Sequence, residues 1–133
     1  MKVDGACHCG NITYEAHVDP ERCAVCNCTD CQTLSGSPWR ASVPTLAKDF
    51  RLKSGEPKRY VKTAESGTKR IQTFCENCGS PIYSASFENP TIYNLRLGAV
   101  KQRAQLPPKR QIWCESALAW ARDITAVPGV PRG

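Results

Sequence analysis

Cys7-His8-Cys9-Gly10, near the start of the chain, is answered about 65 residues later by Cys75-Glu76-Asn77-Cys78-Gly79. Each pair of thiols ends in a glycine. In such a turn the backbone N–H groups can point at the sulfurs and help to hold negative charge there. Two pairs can approach one ion from opposite sides, and four thiolates make the closed ligand set of a structural zinc. Cys7, Cys9, Cys75 and Cys78 are therefore expected to bind one structural zinc ion and tie the first strand to the middle of the chain. Closing so long a loop should stabilise more than a local link would. Two unrelated thiol pairs, or a redox CxxC, are the plainer alternatives. His8 lies between two of these ligands, and strand alternation would turn it away from the ion. His17 has no partner motif and reads as a surface residue.

A second cluster is Cys26-Asn27-Cys28-Thr29-Asp30-Cys31. Three thiols within six residues can reach one ion if the chain curls around it. Three protein ligands leave the fourth position open, as catalytic zinc sites do. Cys26, Cys28 and Cys31 are thus expected to form an open site. Two alternatives stand: Cys23 joins them and closes the shell, or the thiols bind no metal and are redox-active. The spacing does not match the usual iron–sulfur patterns. Cys114, beside Trp113 in an apolar stretch, is expected to be a packed and inert thiol.

The totals agree with a metal protein. Nine cysteines are an odd count, which argues against a fully paired disulfide framework. The first ten residues, MKVDGACHCG, lack the apolar core of a secretory signal. No apolar run approaches the ~20 residues of a membrane span. The expected compartment is the reducing cytoplasm, where clustered cysteines more often bind metal than pair. With 133 residues, 41% hydrophobic and 23% charged, residues 1–133 should make one folded domain. The 18 basic and 12 acidic residues give a charge of +6, which favours anionic partners. The basic residues are scattered, with no aromatic-interleaved stripe, which argues against nucleic acid.

Ile12, Tyr14, Ala16 and Val18 alternate with polar residues, as in a half-buried strand. Arg59–Lys62, Ile71–Phe74, Ile82–Tyr83, Thr91–Leu97 and Ile112–Trp113 read as further short strands. Gly and Pro punctuate throughout. Helical signals are confined to a turn at Thr29–Leu34 and a short turn over Ala117–Ala121 capped by Ser116. The tail from Val127 should be ordered only by packing. The expected fold is mainly β, small and loop-rich enough to benefit from a metal staple.

Three runs carry a family likeness: Gly5 to Tyr14 (G-x-C-H-C-G-x-I-x-Y), Cys26 to Cys31 (C-x-C-x2-C), and Phe74 to Pro81 (F-C-x2-C-G-S-P). Together they resemble the glutathione-dependent formaldehyde-activating enzyme family, shared with centromere protein V. Ser35-Gly36-Ser37, Phe50 to Gly55, Arg96 to Gly98 and Ile112-Trp113 extend the likeness over nearly the whole chain. The resemblance implies an Mss4-like fold of several short antiparallel sheets around a zinc. It also matches Cys7, Cys9, Cys75 and Cys78 to a structural zinc, and Cys26, Cys28 and Cys31 to a labile, catalytic one. Two departures stand out. Cys23 is an extra thiol, and Arg110 and Gln111 occupy a stretch where the family often has a histidine.

The activity so implied is that of a carbon–sulfur lyase working in the addition direction, joining formaldehyde or a similar small aldehyde to the thiol of glutathione. A free thiol with pKa near ~8.5 is mostly protonated at neutral pH, and coordination to zinc would deprotonate it. The same ion could polarise the carbonyl. The cysteines would then be ligands rather than nucleophiles. Glutathione carries two carboxylates, for which Arg40, Lys69, Arg70 and Arg96 are candidate partners. Trp39 is a candidate pocket wall or packing residue. The rival class is a zinc-binding interaction module without catalysis, for nucleic-acid binding or for thiol and metal handling.

Overall fold

The computed structural model describes residues 1–133. Ten strands and one short helix make up its regular structure. In chain order they are β1 (Lys2–Ala6), β2 (Thr13–His17), β3 (Ala24–Cys26), α1 (Thr29–Ser35), β4 (Arg40–Leu46), β5 (Phe50–Ser54), β6 (Lys58–Thr63), β7 (Lys69–Phe74), β8 (Pro81–Ser86), β9 (Ile92–Arg96) and β10 (Arg110–Ile112). The mainly β expectation holds. The strands form two sheets, one in the order β1-β2-β5 and the other in the order β10-β3-β4-β9-β8-β7-β6. All neighbours are antiparallel except β10 and β3, which run parallel.

Strand parity explains both faces of the larger sheet. Val25, Val43, Leu95 and Ile71 are buried on the core side. Their strand neighbours Ala24, Cys26, Ser42, Arg96 and Asn94 fall on the opposite side, because successive residues alternate faces. The smaller sheet supplies Val3, Tyr14 and Ala16 to the same core. An aromatic cluster joins the two sheets. Phe50 lies 5.1 Å from Tyr14 and 5.3 Å from both Tyr83 and Tyr93, and those two stack at 4.3 Å. Such pairs stabilise beyond their buried area by about 0.5–1.5 kcal/mol each. Gly5 faces Tyr14 across β1 and β2. A Cβ there would stand 1.9 Å from the tyrosine ring, so no other residue fits without moving it.

Several local expectations need correction. β4 runs through Pro44, which reads as a breaker in the sequence. Its pairing with β3 ends at Ser42, so at Pro44 only β9 lies alongside and the missing N–H disrupts no ladder. The turn over 117–121 instead starts later, at Ala119–Arg122, and Ser116 closes a separate turn at Cys114–Ser116. The helix near residue 30 is present, one residue longer than expected, and ends at Gly36 in the left-handed conformation. The tail from Val127 to Gly133 lies exposed. No helix is long and apolar enough to cross a membrane.

Candidate metal centres

The loop after β1 and the turn between β7 and β8 bring four thiols together. The sulfurs of Cys7, Cys9, Cys75 and Cys78 all lie within 4.8 Å of one another. Cys7 Sγ is 3.5 Å from Cys9 Sγ, and Cys9 Sγ is 3.7 Å from Cys75 Sγ. These separations are far longer than a disulfide bond. They are close to the ~3.8 Å edge of a tetrahedron whose corners lie ~2.3 Å from a zinc ion. The donor set and its geometry thus fit zinc.

The two turns are built alike. Gly10 N–H donates to the Cys7 carbonyl at 3.1 Å, and Gly79 N–H to the Cys75 carbonyl at 2.7 Å. Both glycines have φ near +80°, a conformation that costs other residues strain. Ile12 N–H donates to Cys7 Sγ at 3.2 Å. Ser80, whose role the sequence did not disclose, joins the halves. Its hydroxyl accepts from His8 N–H at 3.0 Å and lies 3.2 Å from Cys78 Sγ. The Ser80 hydroxyl and N–H pull the Cys78 thiol down to about 5, so its thiolate is favoured. The side chain of His8 is no part of the cluster, and His17 is exposed.

The second cluster sits where β3 turns into α1. The sulfurs of Cys26, Cys28 and Cys31 also lie within 4.8 Å of one another. Cys28 caps the helix, accepting from Cys31 N–H at 3.3 Å. Burial pushes Cys31 up to about 12, with the neighbouring thiols adding to it. Burial also opposes ionisation of Cys28, but the Cys31 N–H, the two neighbouring thiols and Lys62 outweigh it and hold Cys28 below its ordinary value. One thiol is thus set to ionise well before its neighbour, as crowded like charges require.

Cys23 is not a member. It precedes β3 on the core-facing parity and is fully buried, and its thiol donates to the Leu106 carbonyl at 3.3 Å. Burial raises its pKa, which keeps it a neutral thiol. Cys114, expected to be packed, is exposed. β10 ends at Ile112, Trp113 takes a left-handed conformation with φ 56°, and the chain turns Cys114 outward.

Two amides that carry no chemistry of their own hold the cysteine loop. Asn27, 3% exposed, donates from both its backbone N–H and its Nδ2 to the Ile112 carbonyl at 3.1 Å. Gln32 Nε2 donates to the carbonyls of Asn27 at 2.9 Å and Ser116 at 3.0 Å. The parallel strand β10 thereby fixes the loop that presents Cys26 and Cys28.

The three thiols open into a cavity of about 520 Å³ over the polar face of the larger sheet. Six cationic side chains line it, Arg22, Arg40, Lys62, Arg70, Arg96 and Arg110, and no carboxylate does. Three of the four expected basic residues are among them. Lys69 is not: it falls on the other parity of β7, with its ammonium 5.7 Å from the centre of the Phe87 ring. Arg22, Lys62 and Arg110 were not anticipated, because nothing local in the sequence distinguishes them from the other scattered basic residues. Trp39 is no wall of this cavity, and Trp113 is. Burial, together with Arg40, pulls Arg96 down to about 9.

The glutathione-dependent formaldehyde-activating enzyme model matches residues 2–116, which include both thiol clusters and every cavity residue. The chain belongs to that family. Family membership implies glutathione and formaldehyde as the substrate classes and agrees with zinc at the cysteine clusters. No curated protein matches the chain. Among solved structures, a Rhodobacter sphaeroides protein is similar with a TM-score of 0.63 over 81% of this chain and 98% of that one. At 19% identity that likeness is one of fold alone.

Proposed function

We propose that this chain is a carbon–sulfur lyase that adds formaldehyde, or a similar small aldehyde, to the thiol of glutathione, with one structural and one labile catalytic zinc ion. One observation carries the reading: three clustered thiols open into a cavity lined by six cations and no carboxylate. Cys7, Cys9, Cys75 and Cys78 hold the structural ion. Cys26, Cys28 and Cys31 would hold the catalytic one, a three-thiol set of the open kind. A zinc ion bound there supplies Lewis acidity and stabilises a thiolate at neutral pH.

The side chains of the cavity do the remaining work. Arg22, Arg70 and Arg110 attract the two carboxylates of glutathione and orient the tripeptide. Trp113 and Ile112 supply an apolar wall beside the thiols. In the addition a sulfur–carbon bond forms, the carbonyl π pair moves to oxygen, and the thiol proton ends on that oxygen. Atoms and charge balance without an oxidant. No histidine or carboxylate lines the cavity, so solvent carries the proton. The nine thiols are all free, which suits the reducing cytoplasm.

The test is exchange spectroscopy with 13C-formaldehyde and glutathione, alongside metal analysis. The wild-type chain should accelerate adduct formation above the spontaneous rate. Cys28→Ser should remain folded, keep the four-cysteine metal, lose the other, and lose about 100-fold or more of the acceleration. Full activity in Cys28→Ser, or no acceleration by metal-replete wild type, would sink the proposal.

A further inference from the structure

The floor of the cavity holds an electrostatic oddity. Arg40 and Arg96 are only 6% and 8% exposed. Arg40 sits directly across from Cys26 in the pairing of β3 with β4. Arg96 sits across from Ser42, two residues along β4 and on the same face. The two guanidinium groups therefore share one face of the sheet beside the thiol cluster. Neither meets a carboxylate: the chain's five ion pairs use Lys2, Arg51, Lys58, Lys62 and Lys109, and of these only Lys62, held by Asp30, lines the cavity. Arg96 spends two nitrogens on Ser42 Oγ and Gln72 Oε1. Its Nε, and the Nε and Nη2 of Arg40, are buried without a partner.

A buried guanidinium without an anion is costly, and two side by side repel. The thiolates of the neighbouring cysteine cluster offset part of this charge, but they accept no hydrogen bond from the orphaned nitrogens, which an oxygen anion from outside the chain would complete. The planar fork of arginine matches the two oxygens of a carboxylate. We propose that Arg40 and Arg96 form a seat for a substrate carboxylate on the cavity floor, next to Cys26. Two molecules of the proposed reaction can bring that group: glutathione, or an aldehyde that is itself a short oxo acid. The second fits better. Arg22, Arg70 and Arg110, more exposed and free of ion pairs, already suffice for the two carboxylates of glutathione, which leaves the floor pair over. An uncharged aldehyde has no use for it. An aldehyde acid places its carboxylate one bond from the reacting carbon, and the addition itself leaves that carboxylate unchanged. The assignment to an aldehyde rests on the proposed addition reaction; the seat itself does not.

The experiment is thermal unfolding of zinc-loaded protein with acetate, against chloride at equal ionic strength. Acetate should raise the melting temperature of the wild type, by about 2 °C or more at saturating concentration. The shift should persist in Cys28→Ser, where no second metal can hold the anion. It should vanish in Arg40→Gln and Arg96→Gln, which without acetate should melt no lower than the wild type. No shift in the wild type, an equal shift in both arginine variants, or loss of the shift in Cys28→Ser each overturns the seat. The source is read from the same measurement: whichever of glyoxylate or glutathione loses its stabilising effect in Arg40→Gln brings the carboxylate. A wild type that shows the acetate shift but accelerates no addition keeps the seat and refutes the reaction.

Discussion

Cys23 shows how much one position depends on parity. Its spacing allows it as a fourth ligand for the second cluster, the alternative to an open three-cysteine site. In the structure it faces the core, buried and bonded to the Leu106 carbonyl, while Cys26 takes the opposite face. Cys23→Ala should therefore leave the zinc content unchanged and cost about 1–2 kcal/mol in stability, from a small void and an orphaned carbonyl. Urea unfolding and metal analysis together check this, and loss of one zinc would show that the thiol is a ligand after all. The same alternation places Arg40, Arg70, Arg96 and Arg110 over the cavity and Lys69 outside it. The thiol clusters were legible in the sequence because cysteines at so tight a spacing stand out by residue type alone. The cations were only partly legible, because a lysine or arginine looks the same in a cavity as on a surface until the strand register is known.

At the level of elements, β10 has an influence out of proportion to its three residues. It is the parallel edge strand, and its Ile112 carbonyl receives both donors of Asn27. Outer residues that orient ligands typically govern metal affinity by about 10–100-fold. Asn27→Ala should weaken zinc at the second cluster by that order while leaving the four-cysteine site intact. Competition with a chromophoric chelator would reveal it as one ion leaving early. Equal retention of both ions would remove Asn27 from this role. Strands with clean alternation, such as Ile92–Arg96, were readable in advance. β4 was not, since Pro44 hides a central strand, and the parallel pairing of β10 depends on a return path that local pattern does not encode.

Taken whole, the molecule depends on the link between its two sheets. The four-cysteine cluster joins the end of β1, in the small sheet, to the turn between β7 and β8 in the large one. Structural zinc sites of this kind are worth about 10–16 kcal/mol, against a typical total stability of about 5–15 kcal/mol. Cys75→Ser should therefore unfold the chain or leave it insoluble, seen as loss of near-ultraviolet circular dichroism and of bound metal. A folded Cys75→Ser with unchanged metal and melting temperature would end the structural assignment. The cluster also has a mechanical consequence. Cys9 and Cys75 are 66 positions apart along the chain, yet their sulfurs lie 3.7 Å apart. If the ends were pulled in an optical trap with the ion in place, the enclosed stretch could not extend until the metal–sulfur bonds ruptured. Rupture would then release about 240 Å of hidden contour length in a single step, so the ion would act as a force gate on the central half of the chain.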